Sequence, residues 1–572
     1  MSAKSLQRRG GLRLALPRMA LVLAVCVVAA LVATWPLALH PADAVLLGTE
    51  HEATVQVFSI WTLWWTADRL AHGLAEYWNA PFFYPNPGVF TYSEPEPLTG
   101  LLVAPLWGWG VPPALIHNLA LWGLLVLNGI FGYRVARALD IAQLPALLAG
   151  VLMVTLPFIA KVWGVLNLVP IFGLLATLEG LVRFGRSGAL RHAAWAGAGL
   201  VAAYLTCQQY ALLFAPFALV AGGLALAQQR GQRAALLRLL GAALGAGLAI
   251  LTVAWPALTL HGQLGFTRSE ALVQALSARP EDFLTRPGTA TLPLPPADTA
   301  DTAGLFPGGI LLALAVGGGV VAGRDPLRRR WAGYLAGTVL VSVLLALGLN
   351  LDLAGWRPFE LLRGVLPGLS ELRSPFRYAL LGQLALPILA AWGLTAVAQR
   401  LPPRAVSLVA LLALLGAAEN LNILAPTTPM PRSPRTGWTT WLAAQPPGTA
   451  VLHIPIAGGV HVSDYEIDAW RMFAQMDHHQ PIVNGYSSYF PPGYTAFQAA
   501  LAQEFPTADL LCTLTAGLGV NTLVVDQGWL AGHQAVMTAQ AGFLQPRYND
   551  PQVQIYHLQA PTGSCQSEEL RP

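Results

Sequence analysis

The chain has 572 residues, 55% of them hydrophobic and only 11% charged, with a formal net charge of +4. Soluble globular domains carry about 25% charged residues, so this composition excludes an ordinary soluble protein. The positive charge is almost all Arg, the only lysines being Lys4 and Lys161, and no basic cluster points to nucleic acid.

At the N-terminus, Lys4, Arg8, Arg9, Arg13 and Arg18 precede an apolar stretch from Met19 to about Leu39. That stretch is too long for the core of a signal peptide, and no small-x-small cleavage site precedes Trp35-Pro36. The sequence therefore predicts a retained helix with a cytoplasmic N-terminus. Apolar runs of membrane-crossing length then recur, and about eleven spans are expected in all. They lie near 19–39, 113–133, 143–160, 165–182, 192–208, 210–227, 235–254, 306–323, 331–349, 378–397 and 405–424.

Alternate loops between these spans are basic. Arg134 and Arg137 follow the second span, Arg183, Arg186 and Arg191 the fourth, and Arg230, Arg233 and Arg238 the sixth. Arg324, Arg328, Arg329 and Arg330 follow the eighth, and Arg400 and Arg404 the tenth. Cytoplasmic loops are enriched in Arg and Lys. The polar insertions at about 40–112, 255–305, 350–377 and beyond 425 are then expected outside, on a multi-pass protein of the inner (plasma) membrane. Leu98–Trp109 is too short to span and is expected to be re-entrant or interfacial.

The expected domains are a transmembrane part, 1–425, which includes the first outer loop 40–112, and a non-cytoplasmic α/β domain, 426–572. The tail has ordinary polarity. Ala450–Pro455, Val520–Asp526 and Val553–Leu558 read as strands, and Tyr494–Glu504 and Ala508–Leu518 as helices. At roughly 145 residues the tail can hold a core of its own. Cys26 and Cys207 fall in apolar spans as small core residues. Cys512 and Cys565 both lie in the tail, where an oxidising compartment permits, but does not require, a disulfide. No Cys/His spacing resembles a zinc site and no Walker loop is present. His461, Asp464, Glu466 and Asp468, like Asp477-His478-His479, read as a solvated face.

The chemistry-bearing segment follows the first span. Glu50 and Glu52 stand within a few residues of a membrane exit, and Trp61, Trp64 and Trp65 come just after. Acidic groups against a bilayer are costly to desolvate, so this placement marks a candidate site. A carboxylate can accept a proton from a sugar hydroxyl, and aromatic rings can stack on the apolar face of a pyranose. An extended backbone would turn residues 50 and 52 to one side. A helical one would separate them by about 200°.

An acidic first outer loop, a Trp-rich helix, Phe83-Tyr-Pro-Asn-Pro-Gly88, Leu372-Arg-Ser-Pro-Phe-Arg-Tyr378 entering a span, and an α/β tail together resemble the GT-C class of polytopic glycosyltransferases. The acidic motif of that class, usually Asp-x-Asp or a variant, stands here as Glu50-His51-Glu52. The resemblance implies transfer of a sugar from a polyprenyl-phosphate-linked donor, with inversion, at the outer membrane face, to an acceptor glycan, lipid or protein. It makes Glu50 or Glu52 the general base, and Arg373, Arg377 and Lys161 the ligands of the donor phosphate. His51, Trp61, Trp64, Trp65 and Tyr84 become candidate substrate-binding side chains. A divalent cation is compatible with this chemistry but not implied by it. Two other classes fit the composition. A transporter or flippase would need charged or broken helices near the bilayer centre, whereas the spans here are almost free of charge, with Glu179 near a cytoplasmic end. A non-catalytic scaffold would use the tail to bind a partner or glycan.

Overall fold

The computed structural model describes residues 3–560 and 565, apart from 230, 289–295, 299, 367, 403–405, 422–424 and 460; of 3–17, 297 and 406 it describes only the backbone. Arg230 and Arg404, and the side chains of Lys4, Arg8, Arg9 and Arg13, therefore lie outside the described residues. The chain forms two compact units, each drawn from three separate stretches. The first is Met1–Thr49, Asn118–Val253 and Thr267–Thr428; the second is Glu50–His117, Ala254–Phe266 and Pro429–Pro572. The division after Thr428 lies close to the one expected at 425. Of the first outer loop, 40–112, residues 40–49 fall in the first unit and 50–112 in the unit that holds the tail.

Helices cover each apolar stretch that was expected to span. Among the described residues, six are long and apolar enough to cross a membrane: Pro113–Ala138, Gln143–Lys161, Leu166–Ser187, Gln208–Gln228, Arg233–Leu264 and Pro375–Arg400. The remaining apolar helices are shorter or less apolar, among them Gly309–Arg324 and Leu190–Thr206.

Small residues set the helix packing of the first unit. A Cβ added at Gly180 would lie 2.6 Å from the backbone N of Ala196, and one at Gly199 2.5 Å from that of Thr177. The Phe172–Ser187 and Leu190–Thr206 helices therefore meet backbone to backbone, the usual device where lipid offers no hydrophobic drive between helices. One at Gly318 would overlap the carbonyl oxygen of Leu389, and one at Gly393 that of Leu314. Glu179 is fully buried, and survives there because Arg134 Nε and Arg183 Nη2 approach it at 2.9 and 2.8 Å. Its Oε2 also accepts from Trp195 Nε1 at 3.2 Å.

The second unit is built on a four-stranded sheet in the order Val451–Ile454, Thr522–Asp526, Val553–Leu558, Leu544–Asn549. The first pair is parallel and the other two antiparallel. The unexpected strand, Leu544–Asn549, is an edge strand with a register shift between Pro546 and Tyr548, which is where a sheet tolerates proline. Beyond Val451–Ile454 the sheet is extended by irregular chain. Val451 N donates to Pro481 O and Val483 N to Val451 O, both at 2.9 Å. Residues 81–84 then lie against 482–484: Ile482 N donates to Pro81 O at 2.8 Å and Tyr84 N to Ile482 O at 3.0 Å. This pairing is what ties the first outer loop to the tail. Leu452, Ile454, Leu511, Leu514, Leu523 and Val525 form the centre of the sheet's core.

Cys512 and Cys565 are joined in a disulfide across 53 residues of chain. In the chain-entropy account a loop of that length is stabilised by about 4 kcal/mol. Cys26 and Cys207 are both buried, in keeping with their apolar surroundings.

Candidate functional site

The acidic motif runs from Glu50 into a bend at 51–53, immediately before the helix Thr54–Ala71. The backbone there is neither strand nor helix, so neither simple geometry for residues 50 and 52 applies. Glu50 is half-buried, while His51 and Glu52 are exposed. The helix has no side-chain N-cap of its own. Ala53 N instead donates to Glu466 Oε1 at 3.3 Å, so a carboxylate from the helix Glu466–His478 serves the positive end of the dipole. Just upstream, Gly48 has φ +63°, and an added Cβ would meet Lys161 O at 2.7 Å. Thr49 N donates to that same oxygen at 3.1 Å. The turn leading into the motif thus needs glycine on both steric and dihedral grounds.

The three tryptophans form packing in the second unit. Trp61 is fully buried and Trp64 and Trp65 nearly so. Trp61 stacks on Trp65 at 5.7 Å and meets Phe82 edge-on at 5.1 Å. Its Nε1 donates to Gln475 Oε1 at 3.1 Å, and Trp65 Nε1 to Tyr77 O at 2.9 Å. Arg69 covers Trp65 at 4.5 Å. These rings present their faces to one another and to the helix Glu466–His478, not to an open stacking surface. Tyr84 packs against the sheet's core cluster.

The cationic candidates lie in the first unit. Lys161 is buried, donating to Ala303 O at 2.6 Å and Ala300 O at 3.2 Å, with its ammonium 5.6 Å from the Phe376 ring centroid. Phe376 immediately precedes Arg377, which is buried and donates through Nη1 to Gln209 Oε1. Arg373 is half-buried and has no ion-pair partner among the described residues. The structure thus brings Lys161 to the segment that carries both arginines, and adds Gln209, which its sequence surroundings did not single out.

The structure brings out two buried features, one read differently in the sequence and one not singled out there. Asp468 and His478, expected on a solvated face, are buried. Asp468 Oδ1 accepts from Arg471 Nη1 at 2.6 Å and from Asn484 Nδ2 at 3.2 Å. Arg471 Nη2 reaches Pro455 O at 2.5 Å, so the cluster pins the helix to the end of a strand. Burial pushes the Asp468 carboxyl up, and Arg471 partly offsets this. Among the described residues no group of three or more His, Cys, Asp or Glu is arranged to hold a metal. The second feature is Glu96, which was not singled out. It is buried in a left-handed backbone conformation (φ +46°), and its Oε2 has no partner among the described residues. Burial, and then the Glu94 charge, hold its carboxyl well above the usual range.

His478 gives a testable pH dependence. Its Nδ1 accepts from Gln480 N at 3.1 Å. Burial, reinforced by His479 and opposed by Asp477, lowers its pKa to about 3. The unfolded chain takes up a proton near pH 6.5 that the folded chain refuses. Stability is therefore full above pH 6.5 and declines as pH falls towards 3. Between pH 7.5 and 4.5 the expected loss from this residue is roughly 3 kcal/mol. His478→Asn keeps an acceptor for Gln480 N but cannot titrate. Thermal unfolding of the variant should show a shallower dependence on pH than the wild type. Parallel slopes would show that His478 is not the acid-labile group.

No family model and no curated protein matches the chain. Among solved structures, the arabinofuranosyltransferase AftD from Mycobacteria aligns over 95% of this chain and 40% of its own, at 16% identity and a TM-score of 0.57. A mutant of AftD aligns over 95% and 42%, at 17% identity and a TM-score of 0.58. This chain therefore spans about two-fifths of the AftD length. ArnT from Cupriavidus metallidurans, solved bound to undecaprenyl phosphate, aligns over 97% of this chain and 99% of its own, at 12% identity and a TM-score of 0.40. What the likeness to AftD establishes is architecture: the chain has the GT-C fold of that membrane glycosyltransferase.

Proposed function

We propose that the protein is a membrane glycosyltransferase that moves a sugar from a polyprenyl-phosphate-linked donor to a hydroxyl acceptor, with inversion. The observation that carries this reading is the fold shared with AftD over 95% of the chain. In the reaction, the acceptor oxygen bonds to the anomeric carbon as the bond to the phosphate oxygen breaks. The acceptor proton passes to a carboxylate, for which Glu50 is the first candidate and Glu52 the second. The electron pair leaves with polyprenyl phosphate, whose negative charge needs cationic donors already in place.

Arg373 and Arg377 are the candidates for that role, because a planar guanidinium can hold two phosphate oxygens at once. Lys161 is the third, its ammonium lying in the same neighbourhood as Phe376. The test is retention of lipid. Native mass spectrometry of the purified protein, loaded with a polyprenyl phosphate, should find the lipid bound. Arg373→Lys and Arg377→Lys should each weaken that binding by about tenfold, since Lys offers a point charge in place of a fork. Equal retention in wild type and both variants would reject the phosphate-binding role.

A further inference from the structure

The second unit contains a cavity of about 560 Å³ that the transferase reading does not use. It lies beyond the carboxyl ends of the two parallel strands. Ile454, Pro455 and Ile456, which end and follow the first strand, form one wall, and Trp529, three residues past the second strand, forms another. In α/β sheets the crevice beyond the carboxyl ends of parallel strands is the recurrent ligand position, and this volume is in the range of small-ligand sites.

The lining indicates the chemistry of the occupant. Phe505 and Trp529 are half-buried: each packs against the core cluster on one side and borders the cavity on the other. Trp529 is held by the ring of His533, stacked parallel at 3.9 Å, and His533 Nδ1 is 2.8 Å from Trp529 O. With Nδ1 donating to that carbonyl, the neutral ring keeps Nε2 as an acceptor. Gln503, Glu504 and Gln540 add two amides and a carboxylate. Amides, an imidazole and a carboxylate beside aromatic rings match hydroxyl groups and sugar C–H faces. Among the described residues no Lys or Arg lines the cavity, so a phosphate or a carboxylate would find no counter-charge there and would face Glu504.

From this geometry we infer that the cavity beside Trp529 and His533 is a binding site for a neutral, hydroxyl-rich ligand, a short uncharged glycan. The inference does not rest on the transferase reading, and direct binding tests it. Full-length protein in a sugar-free zwitterionic detergent is applied to an array of neutral oligosaccharides. Phosphorylated and uronate-bearing oligosaccharides and a tripeptide library form parallel arms. Neutral oligosaccharides should bind in preference to both other arms. His533→Ala and Gln540→Ala, which change residues outside the core cluster, should each weaken binding at least fivefold without moving the unfolding temperature. Trp529→Ala should weaken it further, although that ring also supports the core. Absence of neutral-glycan binding, preference for the acidic or peptide arm, or unchanged affinity in both surface variants would overturn the assignment.

Discussion

Glu50→Gln together with Glu52→Gln is expected to lower sugar transfer by about 10²–10⁴-fold, the usual cost of removing a general base. The amide keeps the size and shape of the side chain but cannot take the acceptor's proton, so binding of the polyprenyl-phosphate donor should survive. Most of the loss should come from Glu50→Gln alone. Glu50 is half-buried at the turn that follows Gly48 and Thr49, whereas Glu52 is exposed, and water around an exposed carboxylate weakens its command of one proton. The measurement is transfer of labelled sugar from polyprenyl-phosphate donors, with donor retention scored in parallel. Unchanged transfer in the double variant would refute the assignment of the base. A wild type that transfers nothing across such donors would put the non-catalytic scaffold in place of the enzyme.

Gly318→Ala is expected to be the most damaging single methyl group in the first unit. Its Cβ would overlap the carbonyl oxygen of Leu389, and a Cβ on Gly393, on the facing helix, would in turn run into Leu314 O, less closely. Backbone cannot swing aside as a side chain can, so the helices Gly309–Arg324 and Ala379–Arg400 must separate. Overpacking of a core typically costs about 1–3 kcal/mol, and a collision with backbone belongs at or above the upper end. The neighbouring residue provides the control. A Cβ at Gly317 would meet nothing within 4 Å, and alanine in a helix interior gains roughly 0.5–1 kcal/mol over glycine. Gly318→Ala should therefore lower the thermal midpoint and the monodisperse fraction in detergent, while Gly317→Ala leaves both unchanged or higher. Equal midpoints for the two variants would mean that the helices are not packed this closely.

The helices of the membrane part were legible because an apolar run of this length announces itself locally. The glycine contacts between them were not, because a glycine in an apolar run does not reveal which neighbour it faces. In the tail, Thr522–Asp526 and Val553–Leu558 showed as apolar or alternating runs bounded by turn residues. The helix Glu466–His478 did not show, and its residues explain why. Asp468, Arg471, Gln475 and His478 recur at three- and four-residue spacing, a polar stripe along one face, and all four are buried. Pattern reading assigns such a stripe to water. Here each member has a partner instead: Asn484, Pro455 O and Trp61 from other segments for Asp468, Arg471 and Gln475, and Gln480 N, two residues along, for His478. The tryptophans misled in the converse way, since an aromatic cluster after a span suggests an interface belt or a sugar platform, and only the helix that covers them shows them to be packing. Of the candidate site, the acidic residues were proposed from their place after the first span and the two arginines from the resemblance, whereas Gln209 and the approach of Lys161 to Phe376 depend on contacts far apart in the chain.

The interleaved second unit has a consequence for biosynthesis. The hydrogen bond between Trp61 and Gln475 joins residues 414 positions apart. At a synthesis rate of about 5–20 residues per second, the aromatic cluster of Trp61, Trp64 and Trp65 waits about 20–80 seconds for the helix that will cover it. Phe82 and Tyr77 are made within seconds, but the face that the helix Glu466–His478 will cover has no partner in the nascent chain throughout that interval and must be sheltered by lipid or by a chaperone. A ribosome that stalls before the tail releases a product with every membrane helix in place and this face permanently open. Such a product is a substrate for quality-control proteolysis, although the part it lacks lies wholly beyond the last membrane helix.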